Sequence, residues 1–267
     1  MKFENYQRLG FAYEGRVLTV TIEGNAVNAV DAAMHADLAR VFTDLQRDPD
    51  SDIIVLTGRG RAFCAGGDFD WFEEQINDPS KFRDIGPEAK RIVFTLLEME
   101  KPIICRMNGA AAGLGATIAL LCDVIIADET AKIGDPHVKV GLVAGDGGAV
   151  IWPQLIGFAR AKEFLMTGDL MTGKRAAEIG LVNHAVPAAE LDAKVAEIVE
   201  KIAANPRWAV RWTKTIVNLQ LKDIANKLMD ASIAYEMASN VTADRREAVR
   251  AFVEKRKPNL KIGRAHV

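Results

Sequence analysis

The chain has 267 residues, 49% of them hydrophobic and 26% charged, with 34 basic against 36 acidic side chains and a formal net charge of −2. That balance excludes a disordered chain and leaves no basic footprint for nucleic acid, so the expected partner is a small molecule. The N-terminal stretch lacks a signal peptide's apolar core and no run approaches the roughly 18 apolar residues of a membrane span, so a soluble cytoplasmic protein is expected.

In chain order, RVLTVTIE (16–23) alternates as a half-buried strand does. Apolar residues at Met34, Leu38, Val41, Phe42 and Leu45 then predict a helix from Asp31 to about Arg47. Further strands are predicted at 52–58, 101–109 and 122–128, and further helices at Pro87 to Met99 and Gly115 to Leu121. Strands alternating with helices indicate an α/β fold. After about residue 187 the pattern is helical alone, through 188–206, 207–221 and Asp223 to about Lys255. Periodicity thus divides a core, 1–187, from a helical region, 188–267, whose apolar faces must be covered by the core or by another subunit.

Several familiar chemistries find no support. Cys64, Cys105 and Cys122 are odd in number and set among apolar neighbours, which suits buried fillers better than disulfides or zinc. No two of His35, His137, His184 and His266 share a metal-ligand spacing, so no metal site is expected. GDLMTGKR (168–175) approaches a P-loop, but Arg175 stands where a magnesium-binding hydroxyl belongs; a surface helix capped by Thr172 is the better reading. The four serines lie outside Gly-rich turns, which argues against a serine hydrolase.

What remains is a set of glycine-bearing junctions: RAFCAGGDF (61–69), MNGAAAGLGAT (107–117) and GDPHVKVGLVAGDGG (134–148). Two backbone amides converging from such loops can stabilise a carbonyl oxygen that gains negative charge. Asp146 is the single charged residue of VGLVAGDGGAVIWPQLIG (140–157). A carboxylate in apolar surroundings must be paired, neutralised or used, and glycines let a ligand come close. The plainer alternative is an Asp capping a helix start.

These stretches, with KPIICRMNGAAAGLGATIALLCDVIIADETAKIGDP and RAKEFLMTGDLMTGKRAAEIGLVNHAVP, resemble the crotonase, or enoyl-CoA hydratase/isomerase, superfamily over nearly the whole chain. The resemblance implies a crotonase-like α/β spiral of ββα turns, a homotrimer or homohexamer closed by the C-terminal helices, and an acyl-CoA thioester substrate. Coenzyme A would enter as part of that substrate, with no inorganic cofactor. The oxyanion amides map to Gly67 and Leu114, the latter usually glycine in the family. Ala65, Gly66, Asp68, Phe69 and Gly113 fall along the coenzyme A and substrate path, although Asp68 also suits a loop cap. Trp152 and Pro153 either border the acyl pocket or belong to the core.

The two glutamates of crotonase-type hydratases correspond to Thr117 and His137. Thr117 cannot act as a carboxylate base, which directs attention to Asp146. Several branches of the superfamily, some enoyl-CoA isomerases among them, place a functional aspartate in this loop, so Asp146 is the expected acid/base. His137 either shares the proton work or is structural. His35 is either a core histidine or, by a partial likeness to the oxocamphor hydrolase branch that cleaves cyclic diketones, a site residue. A carbon–carbon hydrolase and a catalytically silent acyl-CoA-binding protein are the alternatives to an isomerase or hydratase.

Overall fold

The computed structural model describes residues 3–260, so His266 lies outside it. The four expected strands form as β2 (Val17–Ile22), β3 (Ile53–Gly58), β5 (Ile103–Met107) and β7 (Val124–Asp128). They lie side by side in parallel, flanked by the antiparallel β1 (Leu9–Glu14) and by β10 (His184–Val186). A turn at Gly15, with φ +57°, joins β1 to β2.

A second sheet holds β4 (Ala62–Cys64), β6 (Ala110–Ala112), β8 (Lys132–Gly134) and β9 (Met171–Thr172). Successive turns of chain lay one strand in the large sheet and the next in the small one: β3 then β4, β5 then β6, β7 then β8. Helices follow the first two, and this is the expected spiral of ββα turns. The short strands carry too few residues for a readable alternation, which is why the sequence did not announce them.

Helix α1 (Ala32–Arg47) begins at Asp31, whose carboxylate accepts from the Met34 N–H at 2.8 Å. Its buried face, including Leu38, Phe42 and Leu45, packs into the main core with Leu56, Phe63 and Ile103. After α2 (Phe69–Asn77) comes α3 (Phe82–Glu98), which starts five residues before the expected Pro87. Proline removes only one intrahelical hydrogen bond there, and Phe82 in the added turn is buried. α4 (Leu114–Leu120) follows β6, and α5 (Gly148–Thr167) grows out of the glycine-rich run, kinked at Gly157 where φ is +78°. Thr172 caps α6 (Gly173–Glu178) by accepting from Arg175 N–H at 3.1 Å, as expected.

The last helices are α7 (Leu191–Ala203), α8 (Arg207–Asn240) and α9 (Ala243–Val253). α8 is continuous through 222, and the break falls at Thr242, whose side chain caps α9. α7 covers the large sheet through Leu191 and Val195, which pack with Ile53, Ile104 and Ile126. α8 lies on α3 and α5, and α9 lies on α2. Cys64, Cys105 and Cys122 are free and buried, and burial pushes the Cys64 thiol up to about 11, which makes it inert near neutrality. No helix among the described residues is long and apolar enough to cross a membrane.

Candidate active site

Gly67 forms a single parallel bridge with Val30. Val30 donates to Gly66 O at 2.8 Å and Asp68 N–H donates to Val30 O at 2.9 Å, so the Gly67 amide faces the opposite way. A Cβ at Gly67 would stand 2.3 Å from the Phe72 ring, so a larger residue there displaces that ring. Leu114 is the first residue of α4, and its N–H therefore has no intrahelical acceptor. Gly113, with φ +53°, donates its own amide to Gly134 O at 3.1 Å and turns the chain so that the Leu114 amide leads the helix. Gly67 and Leu114 line one cavity of about 50 Å³, together with His35, His137, Asp146 and Glu236.

His137 opens a 3₁₀ turn, His137–Val140, directly after β8. Its Nδ1 is bound by Asp135 Oδ1, and its Nε2 lies 3.5 Å from Asp146 Oδ2. On its other oxygen Asp146 accepts from Thr117 Oγ1 at 3.4 Å. Burial by itself would lower the proton affinity of His137, but Asp135, Asp146 and Glu236 outweigh it and lift its pKa to about 10. Burial pushes the Asp146 carboxyl above its ordinary range, and Asp135 adds to this while His137 opposes it. Burial and the charge of Asp146 raise Glu236 to about 8. His137 and the buried Arg245 oppose that rise without cancelling it, so Glu236 keeps its proton at neutral pH.

The glycines around Asp146 serve the chain's own packing, where a ligand's approach was expected. A Cβ at Gly145 would meet Ser232 O at 2.5 Å and Glu236 Oε2 at 2.7 Å, so α8 presses onto the loop there. At Gly147, with φ +120°, a Cβ would meet Thr117 Cγ2 at 2.8 Å, and at Gly148 it would meet Asp135 Oδ2 at 2.1 Å. Gly147, without a side-chain bond, occupies the cap position of α5, while the Asp146 carboxylate just before it accepts from the Gly148 N–H at the helix start. The glycines thus let four groups crowd around one carboxylate.

His35, on the buried face of α1, does reach this cavity. Its Nδ1 bonds Glu88 Oε2 at 2.6 Å, and its ring centroid lies 5.4 Å from that of Trp71. Asp68 takes the capping role weighed above, accepting from Asp70 N–H at 3.0 Å at the start of α2. Ala65 donates its amide to Val27 O at 3.1 Å, and Gly66 has φ +87° with Ala112 O where a Cβ would go. Phe69 is stacked on Phe252 of α9 at 4.2 Å. Ala65, Gly66, Asp68 and Phe69 lie outside the cavity wall. Trp152 does too: it is fully buried in the core on α5, 6.0 Å from the Phe164 ring. Its burial fits the core alternative.

Asp135, Glu88 and Glu236 were not singled out by sequence. Asp135 stands inside the quoted GDPH. Glu236 carried a signal: Met229, Ile233, Glu236 and Asn240 recur at helical spacing and are all buried, which leaves one carboxylate on the inward stripe of α8. Asp135, His137 and Asp146 bring ligand atoms within 4.8 Å of one another, a grouping invisible in their spacing. Both ring nitrogens of His137 face carboxylates, which makes the group a charge-paired chain.

A larger groove of about 930 Å³ lies elsewhere, between α5 and α8, lined by Leu121, Ile151 and Val217 with a Lys214–Asp123 pair of 2.7 Å. It brings together no second acid or base, and the chemistry belongs to the smaller cavity.

Residues 13–262 match the family described as Enoyl-CoA hydratase/isomerase. A short-chain-enoyl-CoA hydratase of Clostridium acetobutylicum is 35% identical over 91% of this chain and 94% of its own. Among solved structures, an enoyl-CoA hydratase/isomerase from Mycobacterium paratuberculosis superposes with a TM-score of 0.84 at 35% identity, over 91% of this chain and 97% of that one. A beta-diketone hydrolase from the cyanobacterium Anabaena, bound to (S)-3-oxocyclohexyl acetic acid, superposes with a TM-score of 0.83 at 30% identity, over 90% and 96%. The chain belongs to the enoyl-CoA hydratase/isomerase family of the crotonase superfamily.

Proposed function

We propose that this enzyme forms an enolate from an acyl-CoA thioester, with the carbonyl oxygen held by the Gly67 and Leu114 amides and Asp146 as acid/base. The observation that carries this reading is that Asp146, 6% exposed, lines the same small cavity as Gly67 and Leu114. Burial raises its proton affinity toward working pH, where a carboxylate both takes and returns a proton efficiently. Asp146 removes a proton from the carbon beside the carbonyl, the electron pair moves onto the thioester oxygen, and the proton returns at another carbon. With a 3-enoyl substrate the outcome is a shifted double bond. His137 begins as imidazolium, held by Asp135, and stabilises charge near Asp146. Thr117, in the place of a hydratase glutamate, supplies a hydrogen bond and no second base.

Coenzyme A comes as part of the substrate. The amides stabilise the oxyanion and the carboxylates move the proton, so this chemistry calls for no inorganic cofactor. The cavity holds the reacting carbonyl and little more. Exposed Trp212, Ile216 and Val217 on α8 support a homotrimeric or homohexameric assembly, and three buried free cysteines suit the reducing cytoplasm.

A second reading, hydrolysis of a carbon–carbon bond in a cyclic diketone, is favoured by the two histidines facing one cavity and by the likeness to the beta-diketone hydrolase. Water would add to one ketone, the bond to the central carbon would break, and the leaving enolate would rest on the same two amides before protonation. Turnover assays separate the two: consumption of an enoyl-CoA supports the first reading, and cleavage of a cyclic 1,3-diketone without coenzyme A supports the second.

A further inference from the structure

At the N-terminal ends of the parallel strands β2 and β3, away from the catalytic loops, lies a separate cleft of about 280 Å³. Three guanidiniums enter it and share one carboxylate. Arg16 Nε bonds Asp52 Oδ2, Arg211 Nη2 lies 2.9 Å from Asp52 Oδ1, and Arg207 Nη1 lies 3.5 Å from the same oxygen. Asp48 and Asp50 act on Arg16 from nearby but do not line the cleft.

Two of these arginines sit at the start of α8, a helix of 34 residues with no acidic residue in its first turn and no side-chain cap. Helix starts favour anions, because free N–H groups and the aligned peptide dipoles are positive there. Placing Arg207 and Arg211 at that end adds like charge to like. Arg211 also has a side chain only 10% exposed, and its Nε–H has no acceptor among the described residues. A buried guanidinium N–H without a partner is costly, so Asp52 alone leaves Arg211 under-satisfied. The rest of the cleft is apolar, built from Val17, Ile53, Pro102, Ile202 and Val210. Trp208 lies against the guanidiniums at the helix start, 5.1 Å from Arg207 and 5.4 Å from Arg211.

We infer that this cleft binds a small organic carboxylate with an apolar body, its head group held by Arg16, Arg207 and Arg211 and its body lying on Ile53 and Val210. Three guanidiniums offer more donors than Asp52 can accept, which leaves room for a second carboxylate. The apolar wall selects against a bare inorganic anion. This site is independent of the acyl-CoA reading.

The test is calorimetric titration of the full chain with octanoate, octan-1-ol and inorganic phosphate. Octanoate is expected to bind saturably and more tightly than either control. An Arg16→Gln/Arg207→Gln double variant should weaken it by about tenfold or more, the usual scale for lost charge-assisted hydrogen bonds. Asp146→Asn should leave this binding unchanged, which separates the cleft from the active site. Ala203→Phe fills the cleft from the end of α7 with every arginine in place, and it too should remove the octanoate signal. Binding retained in either cleft variant, or octanol or phosphate bound as tightly as octanoate, overturns the inference.

Discussion

His137 Nε2 stands 3.5 Å from Asp146 Oδ2, while its Nδ1 is engaged by Asp135. The longer gap is the informative one. It is too wide for a good hydrogen bond, so Asp146 keeps an oxygen available for a substrate proton while still feeling the imidazolium charge.

Asp146→Asn keeps the shape of the loop and removes the proton acceptor. Turnover of a responsive acyl-CoA is expected to fall by roughly 10²–10⁴-fold, the range for loss of a general acid/base. Ligand affinity should change little. Steady-state kinetics with a separate binding measurement distinguish this from a folding defect, and unchanged kcat removes Asp146 from the mechanism.

Leu114→Pro tests the second amide. Proline is accepted at the first position of a helix and lacks only the N–H, so α4 should survive. Loss of one oxyanion donor lowers kcat by about 10²–10³-fold. Leu114→Ala keeps the amide and serves as the control. Equal kcat in the two variants would show that the Leu114 N–H holds no developing charge.

Stability should fall with rising pH through Glu236. Its folded carboxyl is raised from 4.5 to about 8, so the folded chain keeps a proton that the unfolded chain releases. The stabilising contribution is complete below about pH 4.5 and is lost as pH climbs through 8. His137, raised from 6.5 to about 10, has the same sign over its own higher window. Glu236→Gln cannot ionise and should flatten the decline of Tm between pH 5 and 8, leaving the variant more stable than the parent at the upper end. At this chain length each kcal/mol corresponds to roughly 2–4 °C. Parallel Tm profiles for the two proteins would contradict the placement of the proton.

Gly145→Ala puts a methyl group against Ser232 O and Glu236, where α8 meets the aspartate loop. Overpacking of this kind costs about 1–3 kcal/mol. Denaturant unfolding should show that loss together with reduced turnover, because the strain falls beside Asp146. The same substitution at Gly15, which has nothing within 4 Å, serves as the packing control, its cost limited to the backbone at φ +57°.

Much of the architecture could be read from residues whose role is local. The β-branched runs gave β2, β3, β5 and β7, the spacing from Met34 to Leu45 gave α1, and Thr172 gave the start of α6. The small sheet was hidden because Ala110–Ala112 and its neighbours are too short and too uniform to alternate. α5 was hidden because its glycine-rich start reads as loop. In the site, local chemistry alone left Asp146 as a plausible helix cap, and only the family resemblance argued for catalysis. Glu236 lies ninety positions further on, and nothing local shows that α8 folds back to put it against Gly145. Trp152, close in sequence to Asp146, lies on the buried face of α5, whereas Asp146 sits in the loop before that helix.

The most direct test of the central claim is mass spectrometry of a 3-enoyl-CoA incubated with the protein in heavy water. Enolate chemistry at Gly67, Leu114 and Asp146 is expected to give enzyme-dependent deuterium uptake beside the carbonyl, with the double bond moved and no water added. Absence of uptake in an ester that demonstrably binds would contradict it.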